Sequence, residues 1–169
     1  MRPATSPHAA AALSVRPARP HEAALIHRFT CELAEYEKLR HEVVASVQDF
    51  ERVLFGPGPR LFCDIVELEG APVGMAIWFY NFSTFVGRHG LYLEDLYVTP
   101  AARGRGAGKA LLVRLARRCV EEGLGRLEWA VLDWNSPAIA FYDSLQARAM
   151  SGWIVRRLDG AALRRLAEA

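Results

Sequence analysis

Cysteine is scarce in this chain, and long apolar runs are missing from it. Only three cysteines stand among 169 residues, and they are scattered without the spacing of metal ligands. No apolar run approaches the roughly 20 residues that a membrane span requires. A formal net charge of +2 is too small to predict binding to nucleic acid or to an anionic membrane. We therefore expect reduced thiols, no bound metal and a cytoplasmic location.

The chain is rich in apolar residues that can form a core. Apolar residues make up 51% of it, and 169 residues are enough for one domain with a buried interior. No repeat and no linker divides the sequence, so we expect a single domain over residues 13–169. Residues 1–12 consist largely of alanine and proline, with one serine and one histidine, and lack a leucine-rich core, which predicts a disordered lead-in rather than a signal peptide.

Hydrophobic periodicity predicts a mixed α/β fold. The expected strands are 13–16, 61–68, 72–82, 91–98, 127–134 and 153–158, and a tight turn at Glu69–Gly70 is expected to join the second strand to the third. The expected helices are 21–38, one that begins with a capping box at 46–49, 106–122, one that begins at 135–137, and 161–167. The segment 127–134 is almost continuously apolar, which favours a central strand. The helix over 106–122 is expected to bury Val120 and to leave its arginines in solvent.

A glycine-rich loop separates the fourth expected strand from the helix that follows. Gly104, Gly106 and Gly108 allow the backbone to turn sharply, so that unpaired N–H groups converge at the start of the helix. The helix dipole adds a partial positive charge there, and such a site suits a pyrophosphate group. The loop therefore indicates a ligand that carries phosphate.

Other interpretations of this loop fit the residues less well. A Walker A loop requires glycine at 103 and a hydroxyl residue after Lys109, whereas the chain has Arg103 and Ala110. A Rossmann fingerprint requires a third glycine at 109 and an opening βαβ unit. On these residues alone, the interpretation that the loop only connects a strand to a helix also stays open.

The surrounding residues resemble a known family. The segment 91–98, followed by Arg103, Gly106 and Gly108, resembles the Arg/Gln-x-x-Gly-x-Gly acetyl-CoA signature of the GNAT N-acetyltransferase superfamily. Asp133–Pro137 and the pair Phe141–Tyr142 are similar to the second half of that superfamily. The resemblance extends from about residue 15 to the end of the chain. It implies a mixed, mostly antiparallel central sheet flanked by helices, and acetyl-CoA as cosubstrate.

Within the superfamily, the chain looks most like the diamine (spermidine/spermine) acetyltransferase group. Segments 32–39 and 92–95 carry this similarity. Ser83–Thr84 stands where the polyamine branch tends to carry an acidic residue, and 130–135 resembles the thialysine Nε-acetyltransferase branch. Phe85 departs from the tryptophan that is usual in both branches. The implied acceptor is a thialysine-like or lysine-like amino acid, or a diamine or polyamine.

The resemblance also implies which residues hold each substrate. The pantetheine arm would pair with the end of the fourth strand, and an asparagine would anchor it from the other side. The implied cofactor-binding residues are Leu96, Tyr97, Val98, Arg103, Gly104, Arg105, Gly106, Ala107, Gly108, Lys109 and Asn135. The implied substrate-binding residues are Glu32, Glu35, Tyr36, Asp95 and Phe85.

Acetyl transfer requires a neutral amine and a proton for the departing thiolate. An alkyl amine has a pKa of ~10.4 and is mostly protonated at neutral pH, and a nearby carboxylate can attract the cation and take up its proton. Glu94 is the candidate base, and Asp95 has a supporting role because adjacent strand residues face opposite sides. Tyr142 is the candidate acid. No metal is required.

Two other functions stay open at this point. The chain could be a non-catalytic acyl-CoA-binding or sensing module, or it could acetylate protein lysines or N-termini. We expect no candidate histidine base next to Cys31, Cys63 or Cys119, which favours direct attack over an acetyl-enzyme. Relatives in the diamine group are dimers that build the amine pocket across their interface, so we expect a homodimer.

Overall fold

The fold is known from a computed structural model that describes residues 12–169. The expected disordered lead-in falls, apart from its last residue, outside the described residues. The chain divides into two compact units, one that ends at Ala130 and one that comprises Val131–Ala169. The single domain over 13–169 stays a prediction.

A five-stranded sheet forms the centre of the first unit. Its strands lie side by side in chain order, and every neighbouring pair is antiparallel except the last, which is parallel. The strands are β1 (Leu13–Pro17), β2 (Phe62–Leu68), β3 (Ala71–Ser83), β4 (Arg88–Val98) and β5 (Leu127–Trp129). This confirms the mixed, mostly antiparallel sheet.

Five α-helices are present among the described residues: α1 (Ala23–Tyr36), α2 (Val47–Phe55), α3 (Ala107–Glu121), α4 (Ser136–Ser144) and α5 (Gly160–Ala167). The start of α2 confirms the predicted capping box. The Asp49 N–H donates to Ser46 Oγ at 3.2 Å, and the Ser46 N–H donates to the Asp49 carboxylate at 2.9 Å. These two bonds satisfy backbone donors that a helix start leaves unpaired.

Helices α1 and α2 cover one face of the sheet. The largest side chains of this core are fully or almost fully buried. They include Ile26, Phe29, Phe50, Leu54, Ile65, Met75, Ile77 and Tyr97. The apolar periodicity of α1 therefore marks the face of the helix that packs on the sheet. On α3, Leu111 and Leu115 are also completely buried.

Val120 and two of the arginines of α3, Arg114 and Arg118, differ from expectation. Val120, expected to be buried, is 81% exposed. Arg118 instead places its guanidinium 4.8 Å from the centre of the Trp78 ring, and Arg114 Nε lies 3.8 Å from a carboxylate oxygen of Asp64. Asp64 is buried and accepts the Trp78 indole N–H at 2.8 Å. The aliphatic part of an arginine side chain can cover apolar surface while its guanidinium binds a partner. The periodicity of apolar residues alone does not predict such contacts.

One predicted strand is shorter than expected, and another is absent. The apolar segment 127–134 forms a strand only over Leu127–Trp129, at the end of the strand order rather than in its centre. Val131 and Trp134 are 39% and 46% exposed, so the segment is not buried on both faces. Segment 153–158 forms no strand, because none of the described strands pairs with it. β-propensity alone does not create a ladder.

Replacing Gly74 by alanine is expected to destabilise the protein by about 2 kcal/mol, because overpacking of this kind forces backbone movement. A Cβ at Gly74 in β3 would collide with the Tyr97 carbonyl oxygen and lie 3.1 Å from Val66 Cγ1. Urea unfolding measures the effect. Gly152→Ala is the control, because a Cβ there meets no atom within 4 Å. Equal stability of the two variants would contradict this packing.

Candidate active site

A β-bulge in β4 determines where its acidic residues lie. Leu93 is opposite Trp78 and Asp95 is opposite Ile77, so Glu94 is an extra residue with no partner on β3. A bulge of this kind reorients the side chains beyond it. Glu94 is exposed, whereas Asp95 is half-buried.

Beyond the bulge, β4 turns its alternate side chains toward α1. Tyr97 packs 5.5 Å from the Phe29 ring of α1, ring centre to ring centre. In a strand without a bulge, Leu93 and Tyr97 would lie on the same face, because they are four residues apart. The bulge therefore brings Asp95 and Tyr97 to the side of the sheet where the acidic residues of α1 are.

Asp95 and Glu37 are carboxyl groups with raised pKa values. Burial raises the pKa of Asp95 to about 6, and the negative charges of Glu94 and Glu37 add to the effect. Burial also raises the pKa of Glu37. Carboxylates that are poorly solvated and close to one another gain free energy when a cation joins them. This arrangement suits a protonated amine.

The acidic residues of α1 have different surroundings. Glu32 accepts the Tyr97 hydroxyl at 2.7 Å and lies 3.7 Å from Arg28 Nε. Burial and the Glu32 carboxylate raise the pKa of Tyr97 to about 12, so its hydroxyl stays protonated. Glu35 is exposed.

The glycine loop has the backbone that its sequence predicts. Gly104 and Gly106 have φ angles of 72° and 86°, a region in which a Cβ is strained. Gly106 caps α3 without a side-chain hydrogen bond, and its carbonyl accepts the Ala110 N–H at 2.9 Å. The N–H groups of Ala107, Gly108 and Lys109 therefore precede the first intrahelical donor. A positively polarised helix start of this kind fits a pyrophosphate.

Arg103 connects this loop to two other elements. Its Nε donates to the Val98 carbonyl at 3.1 Å, and its guanidinium lies 4.9 Å from the centre of the Tyr36 ring. Tyr36 is the last residue of α1. The implied cofactor loop and the implied acceptor helix are thus in contact.

The end of β4 leaves one edge open for an extended ligand. β3 pairs with β4 as far as Val98, on one side only. On the other side, β5 pairs only with Leu91–Leu93. Within residues 12–169 no strand pairs with the outer edge of Leu96–Val98. The backbone groups there suit a pantetheine amide chain.

Two of the expected site residues belong to the second unit. Asn135 is buried at the start of α4, and its side-chain oxygen accepts the Ala138 N–H at 3.4 Å. Pro137 stands in the first turn of this helix, as predicted. Tyr142 is half-buried in α4, with its ring centre 5.4 Å from that of Phe141.

Phe85 lies at the tip of the β3–β4 hairpin. It is 93% exposed, and Phe82 and Val86 beside it are 52% and 55% exposed. The three side chains form an apolar hairpin tip, and their exposure to solvent costs the chain hydrophobic stabilisation.

One cysteine has a histidine neighbour, contrary to the sequence-based expectation. Cys31 Sγ lies 3.8 Å from His27 Nε2, which in turn is 3.0 Å from the Ala45 carbonyl oxygen. The two residues are one helical turn apart, a spacing that could have revealed the contact. Cys63 and Cys119 are buried. Over residues 12–169 no cluster of histidine, cysteine and acidic side chains is arranged to hold a metal ion.

Sequence reasoning missed the bulge, the Arg103–Tyr36 contact and the Cys31–His27 contact. The bulge has no local signal, because Leu93–Asp95 continues the strand pattern.

No helix within residues 12–169 is long and apolar enough to cross a membrane.

Comparison with known proteins identifies a family. The profile of the acetyltransferase (GNAT) family matches residues 23–146. A thialysine N-epsilon-acetyltransferase of Mus musculus is 36% identical over 168 residues, which cover 93% of this chain and 98% of that protein. An L-ornithine N5-acetyltransferase of Arabidopsis thaliana is 28% identical, with 95% of this chain and 91% of that protein covered.

The solved structures agree on the fold. An integron cassette protein from the mobile metagenome of V. cholerae superimposes with a TM-score of 0.77 at 24% identity. The superposition covers 93% of this chain and 98% of the other. At this identity the likeness shows the fold alone.

Proposed function

The chain belongs to the acetyltransferase (GNAT) family, and from that premise we propose that it moves the acetyl group of acetyl-CoA to a primary amine of a small molecule. The acceptor is a thialysine-like or lysine-like amino acid, or a diamine or polyamine. The half-buried Asp95 carboxyl beside Glu37 carries the proposal, because such a pair binds a cation. The names of the mouse and Arabidopsis relatives, which refer to thialysine and ornithine, support a small amine.

Acetyl-CoA supplies a thioester that a neutral amine can attack. The N–H groups that follow Gly106 hold the pyrophosphate, and Arg103, Arg105 and Lys109 add positive charge. The open edge of Leu96–Val98 pairs with the pantetheine arm, and the side chain of Asn135 anchors the arm. The left-handed glycines, the uncapped start of α3 and the open strand edge all fit this ligand.

Glu94 and Tyr142 move the protons. Glu94 is exposed at the bulge, where it can accept a proton from the acceptor amine directly or through a water molecule. Tyr142 donates its phenolic proton to the departing sulfur. A phenol with a pKa near ~10 can protonate a thiolate of similar basicity when the two are in contact.

The acceptor residues are Glu32, Glu35, Tyr36, Asp95 and Phe85. Because Phe85 is exposed at the apolar hairpin tip, we place it against a second copy of the chain, in a homodimer whose amine pocket both copies line. The reduced thiols of three scattered cysteines support a cytoplasmic location.

Release of CoA thiol with a panel of acceptors tests the proposal. The panel contains thialysine, lysine, putrescine, spermidine and a peptide that contains lysine. Turnover of at least one small amine is the expected result. Acetyl-CoA binding without any turnover would favour an acyl-CoA-sensing module, and turnover of the peptide alone would favour a protein acetyltransferase.

Gly104→Ala is expected to raise the KM for acetyl-CoA about tenfold and to change the KM for the acceptor little. A Cβ at φ 72° strains the loop, so the N–H groups lose their alignment with the pyrophosphate. The control is Gly58→Ala, which imposes similar strain at φ 64° in a loop outside the site. Equal changes in the KM values for acetyl-CoA and for the acceptor would contradict a role of this loop in binding acetyl-CoA.

A further inference from the structure

One face of α1 is fixed against the end of β4. Phe29, Glu32 and Tyr36 follow one another at spacings of three and four residues, so they lie on the same side of the helix. The Phe29 ring packs 5.5 Å from the ring of Tyr97, centre to centre, and the Glu32 carboxylate accepts the Tyr97 hydroxyl at 2.7 Å. Because Tyr97 is itself 4% exposed, these two contacts hold α1 in one position along β4.

The position of α1 determines what the last residue on this face contacts. Tyr36 ends the helix, and the centre of its ring lies 4.9 Å from the guanidinium of Arg103. A guanidinium within about 6 Å of the centre of an aromatic ring is attracted by the electrons of the ring face. The contacts of Phe29 and Glu32 thus place a partner for Arg103 at the end of α1.

A second contact holds the same arginine at the outer edge of β4. The Thr99 N–H donates to the Val73 carbonyl at 2.8 Å, so the backbone of Thr99 faces β3. Successive residues of an antiparallel strand direct their backbone groups to opposite sides, so the Val98 carbonyl points to the outer edge. Arg103 Nε donates to this carbonyl at 3.1 Å. Arg103 is therefore held between the edge assigned to the pantetheine arm and the ring of Tyr36.

The loop that follows Arg103 depends on anchors outside itself. Gly104 and Gly106 have left-handed φ angles and no side chains with which to hold that conformation. Ordering a mobile loop on binding lowers the affinity for a ligand, and a loop that is already held avoids this cost. Arg103 immediately precedes Gly104, so its two contacts fix the start of the loop.

We propose that Tyr36 is a positioning residue for acetyl-CoA: by holding Arg103, its ring keeps the start of the glycine-rich loop in the conformation that binds the pyrophosphate. This inference rests on the proposed function and gives a second role to a residue assigned to the acceptor. The role requires the ring of Tyr36 and not its hydroxyl, because the ring face attracts the cation. It also requires the charge of Arg103.

Titration calorimetry with acetyl-CoA alone tests this role. We expect Tyr36→Leu to raise the Kd about two- to fivefold, the effect of losing one exposed cation–π contact, and Tyr36→Phe to retain the wild-type Kd. Tyr80→Leu is the control and should leave the Kd unchanged. Tyr80 has the same exposed fraction as Tyr36, 37%, and its hydroxyl contacts Glu122 at the opposite end of α3 from the loop. An unchanged Kd in Tyr36→Leu, or an equal increase in Tyr36→Phe, would overturn the proposal.

A double-mutant cycle separates the contact from a general effect of either substitution. Arg103→Gln removes the cation, so adding Tyr36→Leu to that variant should raise the Kd no further. Equal effects of Tyr36→Leu with and without Arg103→Gln would show that the two residues act independently, and would overturn this inference alone. Failure of the wild type to bind acetyl-CoA would overturn both this inference and the proposed function.

Discussion

Tyr142→Phe is expected to lower kcat about 100-fold or more, with little loss of acetyl-CoA affinity. General acid catalysis by a positioned side chain contributes about 10²–10⁴-fold, and the variant removes only the hydroxyl that provides the proton. The ring and its packing with Phe141 are retained. Initial rates of thiol release give kcat, and titration calorimetry gives the Kd of acetyl-CoA.

Tyr80→Phe is the matched control for this experiment. Its hydroxyl donates to Glu122 at 2.7 Å on the surface of the first unit, so its loss should have no effect on kcat. Wild-type turnover in Tyr142→Phe would remove Tyr142 from the mechanism. A parallel loss in both variants would point to a general effect on folding.

Asp95→Asn is expected to make the protein more stable at neutral pH and a poorer enzyme. Burial raises the pKa of Asp95 to about 6 from an ordinary 3.8, so keeping this carboxyl ionised costs the folded state free energy. A shift of this size corresponds to roughly 2–3 kcal/mol. Because the folded pKa is the higher one, the wild type has its full relative stability below about pH 4 and loses it as pH rises through about 6.

Urea unfolding at several pH values measures the stability part of this prediction. The advantage of Asp95→Asn should be absent near pH 4 and fully present near pH 8. Over the same range, kcat/KM for the acceptor should fall at least about tenfold in the variant, because an amide does not attract the ammonium group. Stability curves that run parallel at every pH would contradict a raised pKa for Asp95.

The parts of the fold that sequence predicted are those with local causes. The capping box at Ser46 and Asp49, and the two-residue turn at Glu69 and Gly70, depend on neighbours within a few residues. The two residues of that turn have φ angles of 54° and 81°, as a tight hairpin requires. Local hydrogen-bond and backbone rules were sufficient there.

The parts that sequence missed depend on partners far along the chain. The segment 153–158 has suitable residues for a strand, but a strand also needs a neighbouring edge. The contacts of Arg114 and Arg118 on α3 depend on Asp64 and Trp78 in other elements. An alternating or helical pattern does not record such contacts.

In the candidate site, too, the features with local causes were predicted, and those that depend on distant residues were missed. The glycines at 104 and 106 predicted the conformation of the glycine-rich loop, because a left-handed φ is a property of single residues. The bulge at Glu94 depends on the pairing of two whole strands, and Arg103 contacts a ring from another helix. No property of either residue in isolation could show this.

Thiol release from acetyl-CoA, measured with and without thialysine on rapid mixing, tests most directly whether the acetyl group passes straight to the amine. If Glu94 and Tyr142 serve a direct attack, thiol should appear only when thialysine is present, and N-acetylated thialysine should form in equal amount. A stoichiometric burst of thiol without acceptor, with an acetyl group left on the enzyme, would contradict the account. Cys31 beside His27 would then be the first residue to examine for that acetyl group.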